Sequence, residues 1–247
     1  MSELDLDPAV IGSYIQGFFG HGSYDARYWF VGMEFGGGNT LEEIVSRLQG
    51  WYDRGGKELE DLGPGGVGAG SRWFRPPYPL QRTWAKLIRV ALNAEGKSAT
   101  NDSIRAYQSD SLGRAGGLDC IVELLPLPSP GLGRWNFYPD FARKYPQLWY
   151  LAKREAYTSH VAPARIARLQ ARILEHHPRA VIFYGSVYRH WWQQIAGVTF
   201  ERSNLEKVQV AKNDHTLFIS MQHPAAHGVT TSYFDAIGRM IAEAHLP

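Results

Sequence analysis

Four short apolar runs set the limits on what this chain can fold into. They are residues 27–32 (RYWFVG), 120–125 (CIVELL), 180–185 (AVIFYG) and 216–220 (TLFIS). Each is nearly unbroken rather than alternating, the pattern of a strand covered on both faces in a parallel sheet. Segments with helical spacing of apolar residues lie around them, at 10–19, 81–92, 147–157, 163–177 and 231–244. Leu41, Ile44, Val45 and Leu48 mark another helix, and Trp191 and Trp192 ride on one that follows Ser186. Asn39, with Glu42 three residues on, has the spacing of a capping box for the helix at Leu41. A weaker strand falls at 208–211. Strands alternating with helices predict an α/β fold: a three-layer α/β/α arrangement around a central, mostly parallel four-stranded sheet. No repeat or boundary divides the sequence, so one domain over 1–247 is expected.

Composition narrows the function classes. With 44% hydrophobic residues the 247-residue chain can bury a sizeable core and is not of disordered type. The balance of 26 Lys+Arg against 24 Asp+Glu excludes a histone-like coat but permits a local basic face. One cysteine, Cys120, can form neither an intrachain disulfide nor a four-cysteine metal cluster. The paired His176 and His177 read as dipole-favoured residues at a helix end, and His160, His190, His215 and His245 are scattered. No metal and no cofactor are expected. No apolar run reaches membrane-spanning length, and the N-terminus is acidic, so a cytoplasmic address with no membrane partner is expected; a monomer is expected as well.

In open parallel sheets the functional loops leave the carboxyl ends of the strands. After the first run comes Gly32-Met33-Glu34-Phe35-Gly36-Gly37-Gly38, a carboxylate on a glycine-rich turn. It fits neither a P-loop nor G-x-G-x-x-G. Glu34 serves there either chemistry or a helix dipole. After the fourth run comes His223-Pro224-Ala225-Ala226-His227, and a histidine so placed can donate a hydrogen bond to charge developing on a leaving group. After the third comes Tyr184-Gly185-Ser186. The second run carries Glu123. A Gly- and Pro-rich stretch at 54–80 holds Trp73, Phe74 and Tyr78, too many aromatics for a passive tether.

These strand ends, taken together, resemble the uracil-DNA glycosylase superfamily. Gly32-Met33-Glu34-Phe35-Gly36 looks like that family's motif after the first strand, and His223-Pro224-Ala225 like its loop after the last. Tyr184-Gly185-Ser186 resembles the small turn that touches DNA backbone. The resemblance covers roughly residues 27–244. It implies that Glu34 positions a water for attack on C1′ of a deoxyribose and that His223 stabilises the departing base. Gly32, Met33 and one of Phe35, Trp73 or Phe74 would frame the flipped base. Gly185, Ser186, Pro224, Ala225 and His227 would meet double-stranded DNA, the last three as a minor-groove wedge.

Where the family's uracil enzymes carry an Asn, this chain has Glu123. A carboxylate only accepts hydrogen bonds, so it suits the exocyclic amine of cytosine better than uracil O4. Glu123 serving instead as an arginine's ion-pair partner is an equal reading. The loops at 54–80 and 126–139 leave room for a 5-substituent. The chain also looks similar to the prokaryotic anti-phage DNA glycosylases that excise α-glucosyl-hydroxymethylcytosine, a resemblance that implies a modified cytosine as substrate. Excision of uracil or a damaged base, and non-catalytic sensing of modified DNA, are the rival readings. The iron–sulfur branches need four cysteines and are excluded. An esterase built on Ser186 and His223 lacks the second glycine of G-x-S-x-G.

Overall fold

The structure is a computed structural model that describes residues 6–63, 72–131 and 133–244. It divides into two compact units. One comprises Met1–Gly20, Met33–Glu58 and Glu123–Arg168, and the other His21–Gly32, Leu59–Val122 and Leu169–Pro247. Residues 64–71, in the middle of the 54–80 stretch, lie outside the described residues, as does His245.

The strands are β1 (Gly20–His21), β2 (Tyr28–Glu34), β3 (Leu59–Glu60), β4 (Asp119–Leu125), β5 (Ala180–Tyr184), β6 (Glu201–Arg202), β7 (Gln209–Lys212) and β8 (Leu217–Met221). They form an eight-stranded sheet in the order β3-β1-β4-β2-β5-β8-β7-β6. Most of it belongs to the second unit; Gly20 of β1, and Met33–Glu34 and Glu123–Leu125 at the ends of β2 and β4, count with the first. β2 pairs with β5 in parallel from Tyr28↔Ala180 to Val31↔Phe183, and β5 with β8 from Ala180↔Leu217 to Tyr184↔Met221. β7 is antiparallel to both β8 and β6.

The chain is thus α/β, but its sheet is mixed and eight-stranded rather than the expected four-stranded, mostly parallel one. All four apolar runs became strands. Of the other four, β7 is the weaker strand expected at 208–211, displaced by one residue; β1, β3 and β6 are two residues long, so none of those three writes an apolar run.

The helices are α1 (Pro8–Gly17), α2 (Leu41–Asp53), α3 (Arg82–Ala94), α4 (Asn101–Asp110), α5 (Tyr138–Lys144), α6 (Arg154–His176), α7 (Arg189–Ala196) and α8 (Thr231–Glu243). α2 starts one residue later than the Asn39 cap predicted. Thr40 Oγ1 accepts from the Glu43 amide at 3.2 Å, and Glu43 reaches back to the Asn39 amide at 3.0 Å. The break expected at Pro163 is absent. α6 continues through it because Val161, Ala162, Ile166, Leu169 and Ile173 form one buried stripe, which outweighs the single amide that proline removes. Residues 146–152 form a 3₁₀ segment where a helix over 147–157 was expected. α4 and α5 carry too few apolar residues to announce themselves.

The core of the second unit joins Tyr28, Phe30, Ile182, Ile219 and Met221 of the sheet to Leu87 and Val90 of α3 and Phe234, Ile237 and Ile241 of α8. Gly238 brings α8 close: a Cβ there would lie 2.6 Å from the Val90 carbonyl oxygen. In the first unit a buried cation is the organising group. Arg165, 3% exposed, donates to the carbonyls of Ile15, Phe18, Glu123 and Leu124 at 2.5–3.1 Å and lies 3.7 Å above the Phe19 ring. Those carbonyls lie at or near the carboxyl ends of α1 and β4, where backbone acceptors need partners from outside the element. Among the described residues no helix is long and apolar enough to cross a membrane. Arg165→Met strands these carbonyls in an apolar setting, and urea unfolding should show a loss on the order of 3 kcal/mol. A loss below about 1 kcal/mol contradicts this role for the guanidinium.

Candidate functional site

In the first unit Glu34 ends β2 and enters the glycine turn that the sequence singled out. Its side chain is only 11% exposed and pairs through Oε2 with the Arg154 guanidinium. Arg154, the first residue of α6, also donates to Ser129 Oγ at 3.2 Å and lies 5.6 Å above the Trp135 ring. Trp135 packs in turn against Tyr138 and Tyr157, at 4.3 and 4.8 Å between ring centroids. Ser129 closes the loop, donating from its amide to the Phe35 carbonyl at 3.0 Å and from its hydroxyl to the carbonyls of Gly131 and Arg134. At Gly38 (φ 73°) a Cβ would sit 2.8 Å from the Pro128 carbonyl oxygen, so only glycine lets the turn close on this loop.

Burial raises the Glu34 pKa above the ordinary carboxylate value, and the charge and hydrogen bond of Arg154 pull the other way without cancelling it. One carboxylate oxygen is committed to Arg154. Among the described residues the other, Oε1, takes no hydrogen bond, so it is the oxygen that can hold a water.

In the second unit the register of β5 and β8 carries Tyr184 and Met221 to the same level, and the Gly185 amide donates to the Met221 carbonyl at 3.1 Å. Gly185 turns with φ 104°, where a Cβ would press on the Tyr188 ring at 3.1 Å, and Ser186 begins a 3₁₀ turn. The His223 loop leaves the same edge. Tyr233 Oη accepts from the Gln222 amide, and the Ala226 amide donates to the His223 carbonyl. The Lys86 ammonium holds the Pro224 carbonyl.

The Ala225 amide donates to His223 Nδ1 at 3.0 Å. That bond requires a lone pair on Nδ1, so in the neutral ring the proton sits on Nε2. Although His223 keeps solvent access, desolvation of the ring and then the nearby Lys86 charge hold its pKa below the ordinary histidine value. At neutral pH the group is therefore a neutral imidazole that presents Nε2–H. Tyr184 meets it edge-on at 5.6 Å between centroids.

The sequence matches no family model and no curated protein.

Of the other residues singled out by sequence, Gly32 and Met33 are buried at the end of β2, and Phe35 is half-buried against Phe18, with 5.4 Å between rings. Phe74 is 6% exposed and packed among Leu62, Ile88, Leu92 and Ile121, with Trp84 beside it. Of the three aromatics named from sequence, Phe74 is thus the most enclosed; Phe35 and Trp73 are only partly buried. Glu123 is buried, and Arg165 meets it at its backbone carbonyl. Pro224 is buried under the loop, whereas Ala225 and His227 are exposed. Among the described residues no His, Cys, Asp and Glu cluster is arranged to hold a metal ion. Sequence reasoning missed Arg154, Ser129 and Trp135. Arg154 reads as one more helix-surface cation, and nothing in a linear pattern joins it to a carboxylate 120 residues away.

Replacing Arg154 by Gln removes the opposing charge, so Glu34 should titrate at still higher pH, visible in carboxyl ¹³C shifts. The sign carries to stability. A raised folded-state pKa favours folding below the unfolded value, and that contribution is lost as pH rises through the folded one. Lys86→Met should move the His223 titration up toward the ordinary histidine value; a downward or absent shift contradicts the electrostatic account.

Proposed function

We propose that this chain is a DNA glycosylase of the uracil-DNA glycosylase superfamily that excises a modified cytosine. The observation that carries the reading is His223: a neutral imidazole, locked as the Nε2–H tautomer by the Ala225 amide, on a loop leaving the carboxyl edge of β8. A neutral donor suits a leaving base because it stabilises developing anionic charge without first competing for a proton. The C1′–N1 bond breaks with its electron pair moving into the pyrimidine, and His223 would donate to the O2 that gathers the charge. Glu34 Oε1 would hold the water whose oxygen bonds C1′, with the released proton passing to the carboxylate or to solvent. Arg154 would keep the other oxygen fixed, so that the water is presented in one direction.

Glu123 is the support for cytosine over uracil. A carboxylate on β4 accepts from an exocyclic amine and repels a carbonyl. Such a site needs a second feature that spares ordinary cytosine, and a 5-hydroxymethyl or glucosylated substituent supplies one. Action on phage DNA that carries these bases would place the enzyme in anti-phage defence.

The test uses duplexes carrying uracil, cytosine, hydroxymethylcytosine or glucosylated hydroxymethylcytosine, followed by alkali to reveal abasic sites. Incision is expected with the modified cytosines alone. His223→Ala should slow it by about 10²–10³-fold, the usual cost of removing one such donor. Glu34→Gln should lose most of the rate while DNA affinity stays within about twofold. Incision confined to uracil would remove the argument from Glu123, and full activity in Glu34→Gln would remove that residue from the mechanism.

A further inference from the structure

On the second unit the β6–β7 hairpin and the start of α7 border an open cavity of about 490 Å³, lined by Arg189, Arg202, Ser203, Glu206, Lys207 and Gln209 among others. Among the described residues the Arg189 Nε is buried and has no hydrogen-bond partner. A guanidinium donor shut away from water and left unpaired is costly, and such a group calls for a ligand that completes it. Arg202 stands exposed on β6 in the same cavity, and Lys207 adds a third cation. Among the described residues the carboxylate lining it is Glu206, which is 86% exposed at the side chain and lies 3.6 Å from Lys207, an exposed pair easily exchanged for another partner. Ser203 shapes the hairpin, its hydroxyl donating to the carbonyls of Leu205 and Val208. What such a cavity complements is an anion with several acceptor oxygens, since guanidinium forks match phosphate geometry.

Position selects among phosphates. Arg189 follows directly on the Ser186–Tyr188 turn, and that turn is tied through Gly185 to Met221, two residues before His223. A strand presenting a nucleotide to His223 would run its backbone past this turn. We propose that Arg189 and Arg202, assisted by Lys207, grip phosphodiesters of a DNA strand in this cavity. The choice of DNA as the polyanion rests on the glycosylase reading; the anion site itself does not.

The experiment is fluorescence anisotropy with an unmodified duplex over a series of salt concentrations, which needs no excision. Arg189→Gln/Arg202→Gln should weaken binding at least about 10-fold at low salt. The slope of log K against log salt should become shallower by about 2, one for each lost phosphate contact. Arg202→Gln/Lys207→Gln, exposed positions that leave the core alone, should lower it in the same sense if the first variant misfolds. Unchanged affinity and slope would overturn the proposal. So would loss of inorganic phosphate binding with DNA binding intact, which marks a small-anion pocket. Failure of the glycosylase reading has a different signature: wild-type protein that binds duplexes and leaves no abasic site.

Discussion

Parallel pairing of β2, β5 and β8 fixes where the loops of interest begin. Tyr28, Ala180 and Leu217 share one level, and Tyr184 and Met221 another, so the chain emerges from β5 and β8 at a common edge. Slippage by one residue would turn every buried side chain of these strands to the other face. The strands tolerate no such change, because Phe30, Ile182 and Ile219 face α3 and α8 while Phe183 and Phe218 pack elsewhere, with Trp192 against Phe183. Core packing therefore holds the register, and the register holds Gly185 and the His223 loop.

Each candidate catalytic group is fixed by bonds that also set its chemistry. Arg154 ties one oxygen of Glu34, opposes the effect of burial on its pKa and is itself braced by Ser129 and Trp135. The Ala225 amide sets the His223 tautomer, while Lys86, by holding Pro224, also disfavours the imidazolium. Orientation and electrostatics thus come from the same contacts, and under the proposed function that fixed polar environment would serve the transition state.

The parts of this that sequence disclosed are those written in short range. Apolar runs gave β2, β4, β5 and β8, and the strand-end rule pointed to Glu34 and His223. The capping residue was one position off because Asn39 and Thr40 both suit that place, and the choice is made by how Glu43 reaches back. Pro163 misled because one missing amide is weaker than a buried stripe along a 23-residue helix. At the mixed edge of the sheet the weak run at 208–211 announced β7 but not its antiparallel direction, and β6 stayed hidden because it is two exposed residues held by pairing rather than burial. Arg154, Trp135 and the cations of the hairpin cavity depend on contacts between distant segments, for which a single sequence carries no mark.

The central claim is that a bond between sugar and base is cut, and mass spectrometry of the reaction products tests it without any coupled step. Wild-type protein incubated with a duplex holding one glucosylated hydroxymethylcytosine should release that base intact, with the DNA strand lighter by the base and gaining one hydroxyl at C1′. A strand of unchanged mass, or a base altered while still attached to its sugar, would contradict the account.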